Sequence, residues 1–379
     1  MHISEREAEL PDAVIGKLIK LATEDRRIVS LGHGEPDFDL PKPLQSYAKR
    51  IAGKYNHYAS PGGVRELREA IAKKLKKENK IKTNPENIVV TCGSQEALML
   101  AIACTADVSE QIIIPNPSFL AYLPTIELFN AFPVFLELKE SEKWQINPDR
   151  LEKLIDKKKT VAILINTPSN PTGTVLDKKI LEEIADIAIE NDLYIFSDEA
   201  YEKIIYEKKH FSIGRLNGMD EHVATFQTFS KSYAMAGYRL GYVAAPPKLA
   251  QAIVKTHIYS TICAPTFSQM LGIKALSLQK MYITKMVNEY RKRRDYIYKR
   301  LNEIGLHTAK PEGAFYTFSN IGNKNSQRFA KKLLAKAHVA TIPGSEFGSY
   351  GDGYIRCSYA TRLEKISIAM DRMEKYLKH

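Results

Sequence analysis

Cysteine and tryptophan are scarce in this sequence. Its 379 residues include four cysteines, Cys92, Cys104, Cys263 and Cys357, and one tryptophan. No two cysteines form a C-x-x-C pair, so neither a zinc site nor a disulfide framework is expected, and no metal ligands are assigned. Reduced thiols in a cytoplasmic protein fit that pattern. Long apolar runs are also missing. VAILI (161–165) is among the longest, far short of the roughly 20 residues that cross a membrane. The opening stretch MHISEREAEL is charged and has no apolar core, so no secretory signal is expected. The chain carries no internal repeat, low-complexity tract or Gly/Ser linker. H-E-x-x-H, a P-loop and a nucleophile elbow are absent. GHGEPD (32–37) lacks the third glycine of a dinucleotide fingerprint, contains Pro36 and lies outside a βαβ pattern, which argues against a nicotinamide dehydrogenase.

Positive charge is plentiful. The formal net charge is +11, spread over KKLKK (73–77), KKK (157–159) and RKRR (291–294). Runs dispersed over separate helical stretches read as solvated faces rather than a nucleic-acid surface, and they steer anionic small molecules. At roughly 150 residues per domain, the length suggests two domains.

From residue 64 to 260, helical and extended patterns alternate. VRELREAIAKKLKKEN (64–79) places Val64, Leu67, Ile71 and Leu75 on one helical face. IVVT (88–91), QIIIP (111–115), VFLEL (134–138), VAILIN (161–166), LYIFS (193–197), VATFQT (223–228) and GYVAA (241–245) read as strands. SQEALMLAIA (94–103), FLAYLPTIELFN (119–130) and DKKILEEIADIAIEN (177–191) read as helices. Unbroken Val/Ile/Leu runs between helices predict an α/β fold with a mostly parallel seven-stranded sheet covered on both faces. After about residue 270 the pattern changes. A long helix (285–304), short strands (313–319, 354–359) and helix 326–337 predict a smaller α+β domain. The expected division is 41–275 for the large domain, with 1–40 and 276–379 forming the small one.

In open α/β sheets ligands bind beyond the carboxyl ends of the strands, so the residues after each strand are the candidates. Gly93-Ser94 after IVVT opens a helix whose free N–H groups suit a phosphate. TPSNPTG, with Asn170, follows VAILIN. Asp198 and Tyr201 follow LYIFS. Thr228, Ser230 and Lys231 follow VATFQT, and Arg239 comes soon after. Singly, a turn, a helix cap or a surface arginine accounts for each. Together they supply an amine for a Schiff base, a carboxylate for a pyridinium nitrogen, donors for a phenolate oxygen and a phosphate cradle. Pyridoxal 5'-phosphate needs that set. It also accounts for a lysine among aromatic and small neighbours, where desolvation penalises a free ammonium.

SDEAY (197–201), NTPSNPTG (166–173) and SKSYAMAGYRLGY (230–242) resemble motifs of the class I/II aminotransferases, the fold type I pyridoxal-phosphate enzymes. GHGEPDFDLP (32–41), YASPGGVRELREAI (58–71), GSQEA (93–97), PEGAFYTF (311–318), TIPGSEFG (341–348) and YIRCSYA (354–360) match in order, so the resemblance spans nearly the whole chain. It implies that Lys231 carries the cofactor, that Asp198 binds the pyridine nitrogen, and that Asn170 and Tyr201 hold the phenolic oxygen. Ser94, Gln95, Thr228, Ser230 and Arg239 would bind the phosphate, and Phe119 would stack on the ring. Tyr58 would reach the phosphate of a neighbouring subunit, implying a homodimer with shared active sites. Arg356 would pair with the substrate α-carboxylate near Gly34 and Asn170. Two positions depart from the family pattern. Phe119 stands where tyrosine or tryptophan is common, and Thr228 where serine or glycine is common. Neither removes a group the chemistry needs.

The implied activity moves the amino group of an L-amino acid, aspartate first, to 2-oxoglutarate. Aromatic and alanine aminotransferases and a carbon–sulfur β-lyase use the same core residues and stay open as alternatives. A DNA-binding regulator of this fold would carry an added helix-turn-helix domain, which the early GEPDF motif leaves no room for. The expected partners are amino acids, 2-oxo acids and a second copy of the chain, with no nucleic acid and no membrane.

Overall fold

The computed structural model describes residues 3–4, 10, 16, 24–322 and 325–378. Most of the charged opening stretch, and with it much of the N-terminal part expected in the smaller domain, lies outside the described residues.

After a two-residue strand, β1 (Val29–Ser30), the chain builds β2 (Ile88–Thr91), β3 (Gln111–Asn116), β4 (Phe132–Glu137), β5 (Thr160–Asn166), β6 (Tyr194–Asp198), β7 (Val223–Thr228) and β8 (Gly241–Ala244). Strands β2 to β8 form one seven-stranded sheet in the order β2-β8-β7-β6-β5-β3-β4. Only β8 runs against its neighbours. The mostly parallel α/β sheet anticipated from the apolar runs is the one that forms.

Those runs are continuous because both faces are covered. On one face Val89, Ile112, Ile114, Leu164, Phe196 and Phe226 pack with helices Ser94–Thr105 and Pro247–Ser260. On the other, Ile113, Ile163, Ile165 and Ile195 meet helix Lys178–Glu190 through Leu181, Ile184, Ala185 and Ala188, which share one helical stripe. Each fully buried Leu or Ile contributes about 1.5–3 kcal/mol. Helices Arg65–Lys74 and Thr266–Leu276 cover Ile88, Val90 and Tyr242 near the β2 edge.

The C-terminal part adds β9 (Tyr316–Asn320), β10 (Val339–Ala340), β11 (Ile342–Pro343) and β12 (Tyr354–Ser358). Strands β11, β12 and β9 form an antiparallel sheet, and β1 pairs parallel with β10. Helices Met281–Glu303, Ser326–Ala337 and Leu363–Lys378 share a core with Leu31, Phe315, Ile355 and Tyr359.

Three elements differ from the sequence expectation. The helix expected over 64–79 is α-helical only to Lys74 and then widens into a π-turn, Leu75–Asn79. The wider turn brings Lys74 Nζ within 3.0 Å of Asn79 Oδ1, and both side chains are buried. The stretch expected as a strand from residue 313 is a regular strand only from Tyr316, with Gly313 making an isolated bridge to Ile205. Ala314 sits at φ +56° and donates its N–H to Ile204 O, so those residues serve a loop contact instead. The helix expected over 119–130 is confined to Tyr122–Leu128, with Pro124 in its first turn, where a missing N–H costs nothing.

Candidate active site

Strand register brings the carboxyl ends together. Asn166 on β5 lies opposite Asp198 on β6, and Asp198 lies opposite Phe226 on β7. Thr228 on β7 and Thr91 on β2 both face Gly241 on β8. The loops leaving β2, β5, β6 and β7 therefore open onto one cavity of about 390 Å³. Gly34, Ser94, Gln95, Phe119, Asn170, Asp198, Tyr201, Thr228, Ser230, Lys231, Arg239 and Arg356 line it. Tyr58, the remaining candidate, does not. It is 78% exposed on the surface of its own chain.

Lys231 sits in the short helix Phe229–Ser232, and its Nζ donates to Gly34 O at 2.5 Å. Burial lowers the ammonium to about 8, with Glu35 opposing the shift and Arg239 and Arg356 adding to it. The ammonium thus gives up its proton more readily than that of an exposed lysine. Asp198 ends β6. Burial pushes its carboxyl up, while Tyr122 Oη at 2.7 Å and Ala200 N at 3.0 Å stabilise the charged form. Tyr201 and Tyr316 share a hydrogen bond of 2.8 Å between their hydroxyls, and burial raises both phenols.

Arg356 reaches in from β12 and is 1% exposed. Its Nη1 donates to Asn170 Oδ1 at 3.0 Å and its Nη2 to Gly32 O at 2.7 Å. Its Nε has no partner, and among the described residues no carboxylate pairs with it. The guanidinium lies over the Tyr316 ring at 4.4 Å and the Phe347 ring at 5.0 Å. A buried guanidinium without a counter-ion is costly unless a ligand carboxylate completes it. Asn166 fastens the loop that presents Asn170, donating to Asp198 O at 3.0 Å and accepting from Asn170 N at 2.8 Å.

The chain's own residues fit pyridoxal phosphate. Gly93 adopts φ +97°, and a Cβ there would stand 2.7 Å from Arg239 Nη2, so only glycine leaves the cradle open. Ser94 and Gln95 open helix Ser94–Thr105, whose first N–H groups suit a phosphate. Among the described residues Arg239 bonds to the Cys92 and Ala236 carbonyls and to no carboxylate, which keeps its charge available. Thr228 lines the cavity at the end of β7. Its hydroxyl accepts from Ser230 N at 3.1 Å and donates to Leu240 O at 3.2 Å, so it caps helix Phe229–Ser232 while lining the cavity. A buried carboxylate (Asp198), a lysine with a lowered pKa (Lys231) and an anion cradle thus line one cavity.

Sequence reasoning missed Tyr122, Asn166, Tyr316, His33 and Glu35, which also line the cavity. Tyr122 follows Phe119 by one helical turn, and the two rings meet edge to face at 5.5 Å. That spacing was a usable signal.

Comparison with known proteins places the chain in a family. Residues 26–373 match the model of the family described as aminotransferase class I and II. The aspartate aminotransferase of Pyrococcus abyssi is 44% identical over 385 residues, covering 100% of this chain and 99% of that protein. Aromatic-amino-acid aminotransferase 2 of Thermococcus litoralis is 43% identical over 385 residues, again covering 100% of this chain and 99% of that protein. The solved structure of aspartate aminotransferase from Thermus thermophilus with maleate superposes with a TM-score of 0.95 at 33% identity, covering 99% of each chain. The chain belongs to the class I and II aminotransferase family. It is a pyridoxal-5'-phosphate-dependent aminotransferase of fold type I.

Among the described residues, no helix is long and apolar enough to cross a membrane.

Proposed function

We propose that this enzyme takes the amino group of aspartate, passes it to 2-oxoglutarate in a two-stage cycle, and accepts aromatic amino acids as further donors. Arg356 carries this reading: it is a buried guanidinium with no carboxylate partner among the described residues, in the same cavity as Lys231. A fork of that kind suits an amino-acid carboxylate. The relatives named for aspartate and for aromatic amino acids support both donors. So do the wall residues Phe119, Tyr122, Tyr201 and Tyr316, which offer ring contacts.

When bound, pyridoxal phosphate supplies an electron sink for the charge left at the substrate Cα. Asp198 would hold the ring nitrogen with its negative charge, and Asn170 and Tyr201 would hold the phenolic oxygen. Ser94, Gln95, Thr228, Ser230 and Arg239 would hold the phosphate, Thr228 also fixing the turn that carries Lys231. Phe119 would stack on the ring. Arg356 clamps the α-carboxylate and so orients the Cα–H bond. The Lys231 amine, lowered to about 8, takes and returns that proton as general base and acid.

The segment before residue 41 and the chain after residue 275 act as a small domain against the large one. Tyr58, exposed and away from its own cavity, serves the site of a second copy in a homodimer. Free Cys92, Cys104, Cys263 and Cys357 are consistent with a cytoplasmic setting.

The test is an absorption titration of the purified, cofactor-loaded enzyme. The visible cofactor band should fade with aspartate and with aromatic amino acids and return with 2-oxoglutarate. A band indifferent to every amino acid refutes the transamination reading. Pyruvate and ammonia from cysteine, with no amino transfer, would establish the lyase instead.

A further inference from the structure

Charge accounting on the cavity wall leaves one group without a task. Among the described residues, the basic side chains of the wall are His33, Lys231, Arg239 and Arg356. On the reading above, Lys231 carries the proton, Arg239 the phosphate and Arg356 the α-carboxylate. A dicarboxylate such as aspartate or 2-oxoglutarate brings a second negative charge, and burying it unpaired is costly. The wall's own acids, Glu35 and Asp198, make that cost larger.

His33 is placed to meet it. The residue before it offers Gly32 O to Arg356 Nη2 at 2.7 Å, and the residue after it offers Gly34 O to Lys231 Nζ at 2.5 Å. The strap is thereby pinned at the two points that fix a substrate's carboxylate and its Cα. His33 lies between those points on the cavity wall, and its imidazole makes no hydrogen bond among the described residues.

We propose that His33 is a specificity residue that reads the substrate side chain, pairing as imidazolium with a second carboxylate and lying as neutral imidazole against an aromatic ring. This assignment rests on the aminotransferase reading and deepens it. The charged groups acting on His33 are Glu35 on its own strap, Arg356 from β12 and Lys365 from helix Leu363–Lys378. Lys231 and Tyr316 share its cavity. Burial lowers its pKa first, Glu35 opposes, and Lys365 and Arg356 add to the fall. The free site therefore holds a mostly neutral imidazole at neutral pH. Binding a dicarboxylate draws a proton onto His33, and binding an uncharged side chain does not. Linkage gives the sign: dicarboxylate affinity falls as pH rises, relative to that of a monocarboxylate.

The experiment measures calorimetric binding of maleate and of 3-phenylpropanoate to the cofactor-loaded enzyme. The ratio of the two affinities is the readout, because groups acting on the shared carboxylate cancel in it. Between about pH 5.5 and about pH 8 the ratio should fall about tenfold in the wild-type enzyme. His33→Leu should abolish that fall by weakening maleate at low pH, while 3-phenylpropanoate still binds. Lys365→Gln removes one of the charges that lower His33 from an exposed position outside the wall, so it should keep the fall and move it to higher pH. A wild-type ratio indifferent to pH, an unchanged profile in His33→Leu, or loss of the fall in Lys365→Gln each overturns the assignment and leaves the aminotransferase standing. If neither acid binds the wild-type enzyme, the functional reading itself fails and His33 falls with it.

Discussion

Tyr122 donates its phenolic hydrogen to Asp198 Oδ2 across 2.7 Å, from the fourth residue of a segment whose first, Phe119, also faces the cavity. Burial works against a charged Asp198, and this hydrogen bond works for it. A hydrogen bond to a charged group is worth about 1.5–3 kcal/mol. Tyr122→Phe should therefore weaken cofactor binding and slow single-turnover amino transfer by about tenfold or more. Cofactor affinity by fluorescence titration and rapid-mixing absorbance check both. Wild-type values in the two assays would mean that Tyr122 only fills space.

Arg356 acts through its shape as well as its charge. Asn170 Oδ1 and Gly32 O hold its two terminal nitrogens, and Nε is left without a partner. Lysine would keep a cation but could not fork a carboxylate or lie flat over Tyr316. Arg356→Lys should weaken amino-acid binding by about 2–5 kcal/mol. Spectral titration with the best donor measures it, and wild-type affinity in that variant rules the assignment out.

The residues legible in the sequence were those that punctuate strand ends. Asp198 ends β6 and Thr228 ends β7, each after an unbroken apolar run, while Gly93 and Asn170 stand in the turns that follow β2 and β5. Local pattern located them, and ordered motifs suggested their roles. Other features depend on contacts between distant parts of the chain. Tyr316 matters because its hydroxyl meets Tyr201, 115 residues earlier. The π-turn after Lys74 forms because a lysine that reads as part of a solvated run is buried with partners from β7 and from the loop after β6. Helical periodicity over 64–79 carries no trace of those partners. His33 sat in a quoted motif, yet its place in the site comes from two backbone carbonyls pinned by side chains from β12 and from the helix after β7.

A histidine and a glutamate brace the cradle. Glu96 Oε2 accepts from Cys92 N at 2.6 Å, just before Gly93, and stands 3.3 Å from His257 Nε2. His257 Nδ1 donates to Pro61 O at 2.8 Å, so Nε2 carries hydrogen only in the imidazolium. Burial opposes that charge, but Cys92, Glu96 and Pro61 raise His257 to about 9 from its ordinary 6.5. Burial likewise opposes the charged Glu96, but His257, Cys92 and Thr261 lower it to about 2 from 4.5. The raised histidine stabilises the fold fully below its unfolded value and loses that effect as pH rises through about 9. The lowered glutamate stabilises above its unfolded value and loses that effect as pH falls through about 2. Both act together between those two unfolded values. His257→Gln should cost about 1–2 kcal/mol there, and the deficit should fade by about pH 9.5. Denaturation midpoints of wild type and variant across pH measure this. A deficit that is flat with pH would assign the loss to packing.

Lys74 and Glu202 form an ion pair with each side chain 8% exposed. Asn79 bridges them, accepting from Lys74 Nζ at 3.0 Å and donating to Glu202 Oε2 at 2.6 Å. Lys74 also donates to Gln227, whose Nε2 reaches Glu199 Oε2 at 3.0 Å, beside Asp198. This network ties the π-turn to the ends of β6 and β7, the strands that present Asp198 and Lys231. Glu202→Gln should destabilise the fold by about 3–5 kcal/mol, because it leaves a buried ammonium unpaired. Adding Lys74→Met removes that ammonium and should recover much of the loss. Burial already lowers the Lys74 pKa, so the single variant's deficit should shrink at alkaline pH as the lysine sheds its proton. Denaturant unfolding of the two single variants and the double variant closes the cycle. Additive losses would mean that the two residues stabilise the fold independently, and the link from the π-turn to the strands beneath the site would have to be sought elsewhere.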